Sequence, residues 1–561
     1  MPSERSFSVG VDYGTNSVRA LVVDTASGEE IATAVWQFAH GEHGVITDPR
    51  EPNLARQHPA DYAEGFVHAV AQAVRAAAAV PGFHPSRVVG LGVDATGSTP
   101  IPVDADGVAL ALKPQFEREP DAMAWLWKDH TSHAEAAEIT ERARAGGYPY
   151  LAKCGGTYSS EWFWSKILRC ARTNPRVAAG AHSWVEQADY IPALITGNRK
   201  PETMARSACA AGHKGMHHPD WGGLPSEEFL HGLSPYLAEV RGRFASCVSA
   251  SDRPAGRLSD QFAAKVGLPP GIPVAVGVID AHAGAVGSGV GPGTLVKIIG
   301  TSTCDCMVAP MDGSMPDIPG VCGIARESIL PGMLGIEAGQ SAVGDIFNWF
   351  VQRIAPGGGP ATDLHARLTA EASALKPGQS GLVALDWHNG NRTVLTDPLL
   401  TGLIVGQTLH TTAADIYRAL IEATAFGALK IIERLAEYGV AIDRVVNCGG
   451  IAEKSPLVMQ IYADVCNRPM LVSRSPQACA LGAAVFGAVV GGAHPDVPAA
   501  QAAMTGVRPE SYHPDPAAAG VYRELYAVYS RLHDAFGAVT PSAQLGAVMK
   551  DLLKIKAAAR R

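Results

Sequence analysis

Residues 273–304 read PVAVGVIDAHAGAVGSGVGPGTLVKIIGTSTC. The pattern predicts two buried strands separated by a glycine-rich joint. The first, Val274 to Val278, delivers Asp280 at its end. The second, Leu295 to Ile299, runs into Gly300-Thr301-Ser302-Thr303. A carboxylate and a small, hydroxyl-rich turn therefore emerge close together. Two readings are open: a general base beside a phosphate-holding turn, or a polar strand end followed by an ordinary turn. For this stretch alone the second is the stronger.

The same layout recurs near the start of the sequence. Phe7 to Asp12 is a β-rich run ending in Asp12-Tyr13-Gly14-Thr15. Ser17 to Asp24 alternates as a second strand, Thr25 to Gly28 is a turn, and Glu30 to Phe38 reads as a third strand. A Rossmann or P-loop phosphate site opens a helix directly after its glycine loop. Here a hairpin follows instead, and the chain has no GxGxxG and no GxxxxGK[ST]. In a strand–DxGT–strand unit the turn's N–H groups can face phosphate oxygens. The aspartate can hold magnesium through water, because Mg²⁺ keeps much of its hydration shell. Taken alone, DYGT reads better as a plain hairpin turn.

Between and after these units, strands alternate with helices, the pattern of an α/β protein. Pro59 to Ala79 reads as a helix, and Val88 to Asp94 as a buried strand entering Ala95-Thr96-Gly97-Ser98-Thr99. That strand end either lines a ligand cleft or is only a turn. Glu337 and Gln340 sit at a strand-to-helix change, and residues 356–360, PGGGP, read as a flexible loop. Ala413 to Tyr438 is an amphipathic helix stopped by Gly439. Arg444 to Asn447 leads into Cys448-Gly449-Gly450, and Ser455-Pro456 reads as the cap and first residue of the next helix. Met470 to Ser473 and Ala478 to Gly491 complete a second α/β unit. Strand–DYGT–strand and strand–GTST–strand thus suggest an internal duplication with one phosphate turn per half. Two such hairpins across a cleft would clamp a polyphosphate, with the segment 445–463 as a floor for adenosine. Asp280 would then face the attacking hydroxyl, which is the layout phosphoryl transfer needs.

Bulk properties bound the rest. A chain of 561 residues is too long for one ordinary core and implies two large domains. It is 47% hydrophobic and 18% charged with net charge -8, as expected of a globular protein whose main partner is not nucleic acid. The locally basic KDLLKIKAAARR reads as a solvated helix end. The ten cysteines form no CxxC pair, and Cys304-Asp305-Cys306 is too tight for the usual zinc spacings. Buried thiols in a reducing cytoplasm are the expectation. The first residues lack a signal-peptide layout, and no apolar run is long enough to span a membrane. Residues 125–131, 155–167 and 207–218 mix aromatics with charge. Most of these tryptophans read as core filling, although aromatic faces beside charged groups also suit a polyol. His217-His218 reads as a solvated loop with no third metal ligand.

The ordered set DYGT…GVDATGST…DAH…GTST…EAGQS…CGGIAEKSPLVMQIYADV resembles the FGGY family of carbohydrate kinases, within the actin–hexokinase superfamily. The match covers essentially the whole chain. LWKDHT, GGTYSSEWFWSKI, AGHKGMHH and DWHNGNRT resemble, more narrowly, the L-ribulose-phosphorylating branch of that family. The resemblance implies two actin-like (ribonuclease H-like) domains, with duplicated mixed β-sheets flanked by helices and a cleft between them. Residues 1–287 would form the N-terminal domain and 288–561 the C-terminal, mainly nucleotide-binding one. It implies ATP and Mg²⁺ as cofactors and, as reaction, phosphorylation of the C5 hydroxyl of L-ribulose in L-arabinose catabolism. D-Ribulose, xylulose or another polyol is the alternative substrate. Asp280 would be the general base. Asp12 would lie near Mg²⁺ and the phosphates, with Gly14 and Thr15 in the first phosphate turn and Gly300, Thr301 and Ser302 in the second. Gly449 and Gly450 would hold the nucleotide, and Thr96, Gly97, Lys214, Asp280 and Glu337 the sugar. The segments 127–129 and 386–392 match blocks of that branch without a role fixed for them. A cytoplasmic homodimer would fit, free of membrane and nucleic acid. An actin-like or chaperone-like ATP switch would use the same turns, but the aromatic blocks and the lack of a peptide-binding appendage speak against it.

Overall fold

The computed structural model describes residues 5–245, 247–355, 361–540 and 545. The PGGGP loop and the basic KDLLKIKAAARR segment lie outside the described residues.

Apolar runs in the first half build one twisted sheet. Strands β1 (Phe7–Tyr13), β2 (Ser17–Asp24) and β3 (Glu30–Gln37) form an antiparallel meander, and β4 (Val88–Ala95) pairs parallel to β1. The sheet continues through β6 (Pro273–Ala275), parallel to β4, to the antiparallel edge β5 (Pro254–Arg257), and β7 (Val278–Ile279) also pairs with β4. The second half repeats the plan. Strands β8 (Thr294–Ile299) and β9 (Thr303–Pro310) form a hairpin, extended by β11 (Met333–Ala338) and the edge β10 (Gly323–Arg326). On the other side of β8 come β12 (Arg444–Cys448) and β13 (Met470–Ser473), both parallel, and then antiparallel β14 (Val507–Tyr512). Hairpin, third strand, two parallel strands and an antiparallel edge occur in the same order in both sheets. The expected fold is therefore present, and neither sheet closes into a barrel.

Helices cover the sheets. Among those that matter for the site are α1 (Ala60–Ala77), α2 (Phe163–Thr173), α3 (Ala208–Gly215), α4 (Asp280–Gly287) and α5 (Ala413–Glu437). They are followed by α6 (Gly450–Lys454), α7 (Pro456–Cys466), α8 (Ala478–Val490) and α9 (Pro516–Phe536). α5 opens on a capping box in which Thr412 and Asp415 satisfy each other's backbone N–H groups. Ser455 occupies the cap position of α7 but its side chain makes no capping bond, so Pro456 alone carries that start signal. An aromatic cluster with Trp125, Trp164 and Trp184 fills the region between residues 110 and 240, in line with the core-filling expectation.

The anchor stretch departs from its expected form. β6 and β7 are two short pieces interrupted at Gly277, where a Cβ would meet the Ala188 carbonyl at 1.9 Å. The glycine-rich joint is a helix: α4 begins at Asp280 itself. Its glycines serve close packing rather than an open loop. α4 crosses α8 so tightly that a Cβ on Gly482 would lie 1.8 Å from the Ala283 carbonyl. α8, although it comes from the second half, also rests on the first sheet, and a Cβ on Gly10 of β1 would lie 1.8 Å from the Ala480 carbonyl.

Candidate active site

The duplicated topology brings the two hairpin turns and α4 to one cleft. Its walls include Thr15 from the first turn, Gly300, Thr301 and Ser302 from the second, and Asp280 and Ala281 from the start of α4. Thr96, Gly97, Lys214 and Glu337 line the same space. Residues as far apart in sequence as Thr15 and Glu337 thus converge, because strands β1, β4, β8 and β11 all end toward it.

Asp280 accepts a hydrogen bond from the Ala281 backbone N–H at 2.7 Å. Burial, followed by the neighbouring Asp12 charge, pushes its carboxyl up to about 7. Asp12 ends β1, and Arg19 on β2 donates to it at 3.0 Å. Burial raises the Asp12 carboxyl despite Arg19. Beside it on the parallel strand lies Asp94, fully buried. Neither Asp94 oxygen meets a donor among the described residues, and burial with the Asp12 and Asp280 charges holds its carboxyl well above the ordinary range. The buried Asp12 and Asp94 and the partly exposed Asp280 thus lie near one another, and the partly exposed Arg19 pairs with Asp12. This donor set fits a hard divalent cation, which takes oxygen ligands and would supply the missing positive charge.

Of the residues expected to hold the sugar, Lys214 and Glu337 form a buried pair. Lys214 on α3 donates to both oxygens of Glu337 on β11, at 2.8 and 2.9 Å. Burial works against both charges, yet the pairing wins: Lys214 is raised, and Glu337 is held well below the usual carboxylate range by Lys214, His282 and His213. The Thr96 hydroxyl is bonded to Gln187 Oε1 at 2.8 Å and to Thr99 Oγ1 at 2.9 Å, so Thr96 is held by its own domain. Gly97 packs so near Ile279 that a Cβ would meet its Cγ1 at 2.7 Å. Asp12, Gly14, Gly449 and Gly450 are not among the cleft-lining residues. Asp12 stands behind the lining. Gly449, at φ +92°, abuts the Ile299 carbonyl just before the second turn, a position where a side chain is excluded on two grounds.

The two aromatic segments without a fixed role each divide. Trp127 lines the cleft and donates from Nε1 to Thr15 Oγ1 at 3.1 Å, whereas Asp129 turns inward to a buried pair with Arg56. Arg392 lines the cleft and pairs with Glu161 at 3.1 Å, whereas Asp386 is buried beneath it, bonded to Gln340 and Tyr529. The His217-His218 expectation needs correction. His218 is buried, accepts from the Asp220 backbone N–H, and packs 5.0 Å from the Trp221 ring, so it is a packed turn residue.

Sequence reasoning missed Asp94, Arg19 and Lys166. A signal for the first existed: Gly-Val-Asp closes both β1 and β4. Arg19 is the antiparallel partner of Asp12. Lys166 on α2 is fully buried and donates to the carbonyls of Ser98, Trp125 and Leu126 at 2.8–3.2 Å. It ties the Gly97 turn to the Trp127 segment.

Two family descriptions match this chain: the N-terminal domain of the FGGY family of carbohydrate kinases over residues 7–287, and its C-terminal domain over 295–490. The chain belongs to the FGGY family of carbohydrate kinases. Relatives lie along nearly its full length. A protein named ribulokinase from Vibrio parahaemolyticus is 43% identical over 542 residues, covering 93% of this chain and 95% of its own. Another so named, from Geobacillus thermodenitrificans, is 42% identical over 552 residues, with 95% of each chain covered. Among solved structures, a xylulose kinase from Rhodospirillum rubrum superposes with TM-score 0.76 at 24% identity, over 95% of this chain and 99% of that one. A Plasmodium falciparum glycerol kinase with ADP gives TM-score 0.73 at 13% identity, over 94% and 98%. At such identities these structures speak to the FGGY fold alone.

Proposed function

We propose that the protein transfers the γ-phosphoryl group of ATP to the C5 hydroxyl of L-ribulose, giving L-ribulose 5-phosphate in L-arabinose catabolism. The observation that carries this reading is Asp280, a cleft-lining carboxylate raised to about 7 between two hydroxyl-rich turns and the Lys214–Glu337 pair. The choice of sugar is supported by the relatives that bear the name ribulokinase.

In this reading Lys214 and Glu337, with the Gly97 turn, bind and orient the ketopentose. Asp280 accepts the proton as the C5 oxygen attacks phosphorus. The O–H bond breaks, the new O–P bond forms, and the bond to the ADP oxygen breaks. A base lifted toward neutrality accepts that proton more readily than an ordinary aspartate, and about half of it is ionised near pH 7. The turns at Thr15 and at residues 300–302 face the transferring phosphates with hydroxyl and N–H groups. Gly449 and Gly450 leave room beside the second turn for nucleotide. Mg²⁺, when bound, neutralises phosphate charge, and Asp12 with Asp94 are the residues that would hold it. Trp127 and Arg392 help exclude water from the cleft.

A panel of L-ribulose, D-ribulose, D-xylulose and glycerol in a coupled ADP assay, with product NMR, tests the substrate. Preference for a sugar other than L-ribulose, or phosphate on a carbon other than C5, overturns it. Asp280→Asn should keep ATP binding and lose about 10²–10⁴-fold in turnover; near-wild-type turnover would remove Asp280 from the base role. All ten cysteines are unpaired, which supports a reducing cytoplasm. Sedimentation would test the homodimer.

A further inference from the structure

The Cys304-Asp305-Cys306 run is too tight for a zinc motif on spacing alone, yet the fold completes it. On strand β9 alternate residues share a face, and the Cys304 and Cys306 sulfurs lie 3.7 Å apart. Asp305 points the other way, into a buried pair with Lys297. α4 brings His282 against the same face, so that one ligand atom from each of His282, Cys304 and Cys306 lies within 4.8 Å of the others. With Zn–S bonds of about 2.3 Å, two thiolates on a tetrahedral ion stand about 3.8 Å apart. The present sulfur separation already matches that edge.

Two further observations point the same way. His282 is fully buried, and both its ring nitrogens face groups that can steady a ligating imidazole. Nε2 lies 3.0 Å from Glu337 Oε2 and Nδ1 lies 2.9 Å from Cys209 Sγ. Whichever nitrogen takes a metal, the other keeps a carboxylate or thiol partner, the usual support for a metal-bound histidine. Cys304 is partly exposed and lines the cleft, which gives an ion an entry path and a solvent or substrate oxygen as fourth ligand.

We propose that His282, Cys304 and Cys306 form a site for a soft divalent cation of the Zn²⁺ or Cd²⁺ class, distinct from the carboxylates of Asp12 and Asp94. Mg²⁺ does not compete for it, because thiolate and imidazole ligands select the softer ions. Binding breaks two S–H bonds and forms two S–metal bonds, and the two protons leave to water. With Nε2 as the ligating nitrogen, occupation takes that nitrogen from its present contact with Glu337 Oε2, while Nδ1 keeps Cys209. Since Glu337 holds Lys214, the ion disturbs the sugar side of the cleft and acts as an inhibitor. The inhibition, though not the binding, rests on the kinase reading.

Co²⁺ titration of the full-length protein tests the binding directly. One equivalent should give the near-ultraviolet sulfur-to-cobalt charge-transfer band and tetrahedral visible bands, with release of two protons, and Zn²⁺ should displace it. Cys306→Ser should weaken Co²⁺ binding by about tenfold or more and reduce the charge-transfer band, while its Mg²⁺-supported sugar phosphorylation without Zn²⁺ matches the parent. Cys306→Ala provides the same comparison should the serine variant fail to fold. Micromolar Zn²⁺ in excess Mg²⁺ should slow the parent and spare both variants. The absence of a charge-transfer band, or an unchanged band in both variants, overturns the site. A normal band without Zn²⁺ inhibition overturns only the inhibitory consequence and leaves the kinase reading untouched.

Discussion

At the scale of single residues, the site is governed by what burial does to charge. Asp280 is raised to about 7 chiefly because it is desolvated, and next because Asp12 is near. Its base form therefore fades below neutrality. The plot of kcat/KM against pH should show an acid limb near pH 7 that falls tenfold per unit. A profile flat down to about pH 5 would contradict this. The linkage to stability has the opposite sense from a paired carboxylate. The native state holds the Asp280 proton more tightly than the unfolded chain does, so this group's contribution is full at acid pH. It is lost as pH rises from the ordinary aspartate range through about 7. The ligand-free parent should accordingly lose more thermal stability between about pH 5 and pH 8 than Asp280→Asn does. Lys166 illustrates support at one remove. Lys166→Met would leave the carbonyls of Ser98, Trp125 and Leu126 without their donor, at about 1–3 kcal/mol. Since those carbonyls position the Gly97 turn and the Trp127 segment, the KM for sugar should rise more than kcat falls; equal changes would argue for general destabilisation.

At the scale of elements, the β8–β9 hairpin shows how one strand serves two purposes. Its outer alternation aims Cys304 and Cys306 at α4, while Asp305 faces inward to Lys297, whose Nζ lies 2.7 and 2.5 Å from the carboxylate oxygens. Both side chains are fully buried. Lys297→Met should cost about 3–5 kcal/mol by stranding Asp305, and Lys297→Met with Asp305→Leu should recover most of it. If the double variant is as unstable as the single one, the pair is holding something besides itself. The strands themselves were legible, because their apolar runs are long and the turns between them carry Gly, Ser and Thr. The hairpin after DYGT was legible for the same reason. α4 was not. DAHAGAVG is small and apolar on every side, so it shows no helical face, and three glycines or alanines in a row suggest a joint. Such a helix forms because α8 and the sheets bury it all round. The Asp94 carboxyl escaped for a related reason: only the parallel register of β1 and β4 makes two Gly-Val-Asp ends into one acidic group. Lys166 carried no local signal, since its partners are backbone carbonyls from two distant segments.

At the scale of the whole molecule, the two halves are joined through their small residues. α8 sits on the first sheet and crosses α4, and α4 carries Asp280 at its first position. The proposed base thus sits on the helix that joins the two halves. Closure on sugar and nucleotide together would shrink the cleft and expel water from around Asp280. A smaller radius of gyration in small-angle scattering with both ligands is the expected outcome; no change with both present would count against closure. The helix crossing can be probed separately. Gly482→Ala places a Cβ 1.8 Å from the Ala283 carbonyl, backbone against backbone, so the helices must move apart. Overpacking of this kind costs about 1–3 kcal/mol or more. It would also shift Asp280 relative to the phosphate turns, so turnover should fall along with the thermal midpoint. Gly520→Ala, in α9 with open space around it, is the matched control, and there the midpoint should hold or rise by the usual helix preference of alanine over glycine. Gly482→Ala with a lowered midpoint but full turnover would show that the crossing stabilises the fold without setting the position of Asp280.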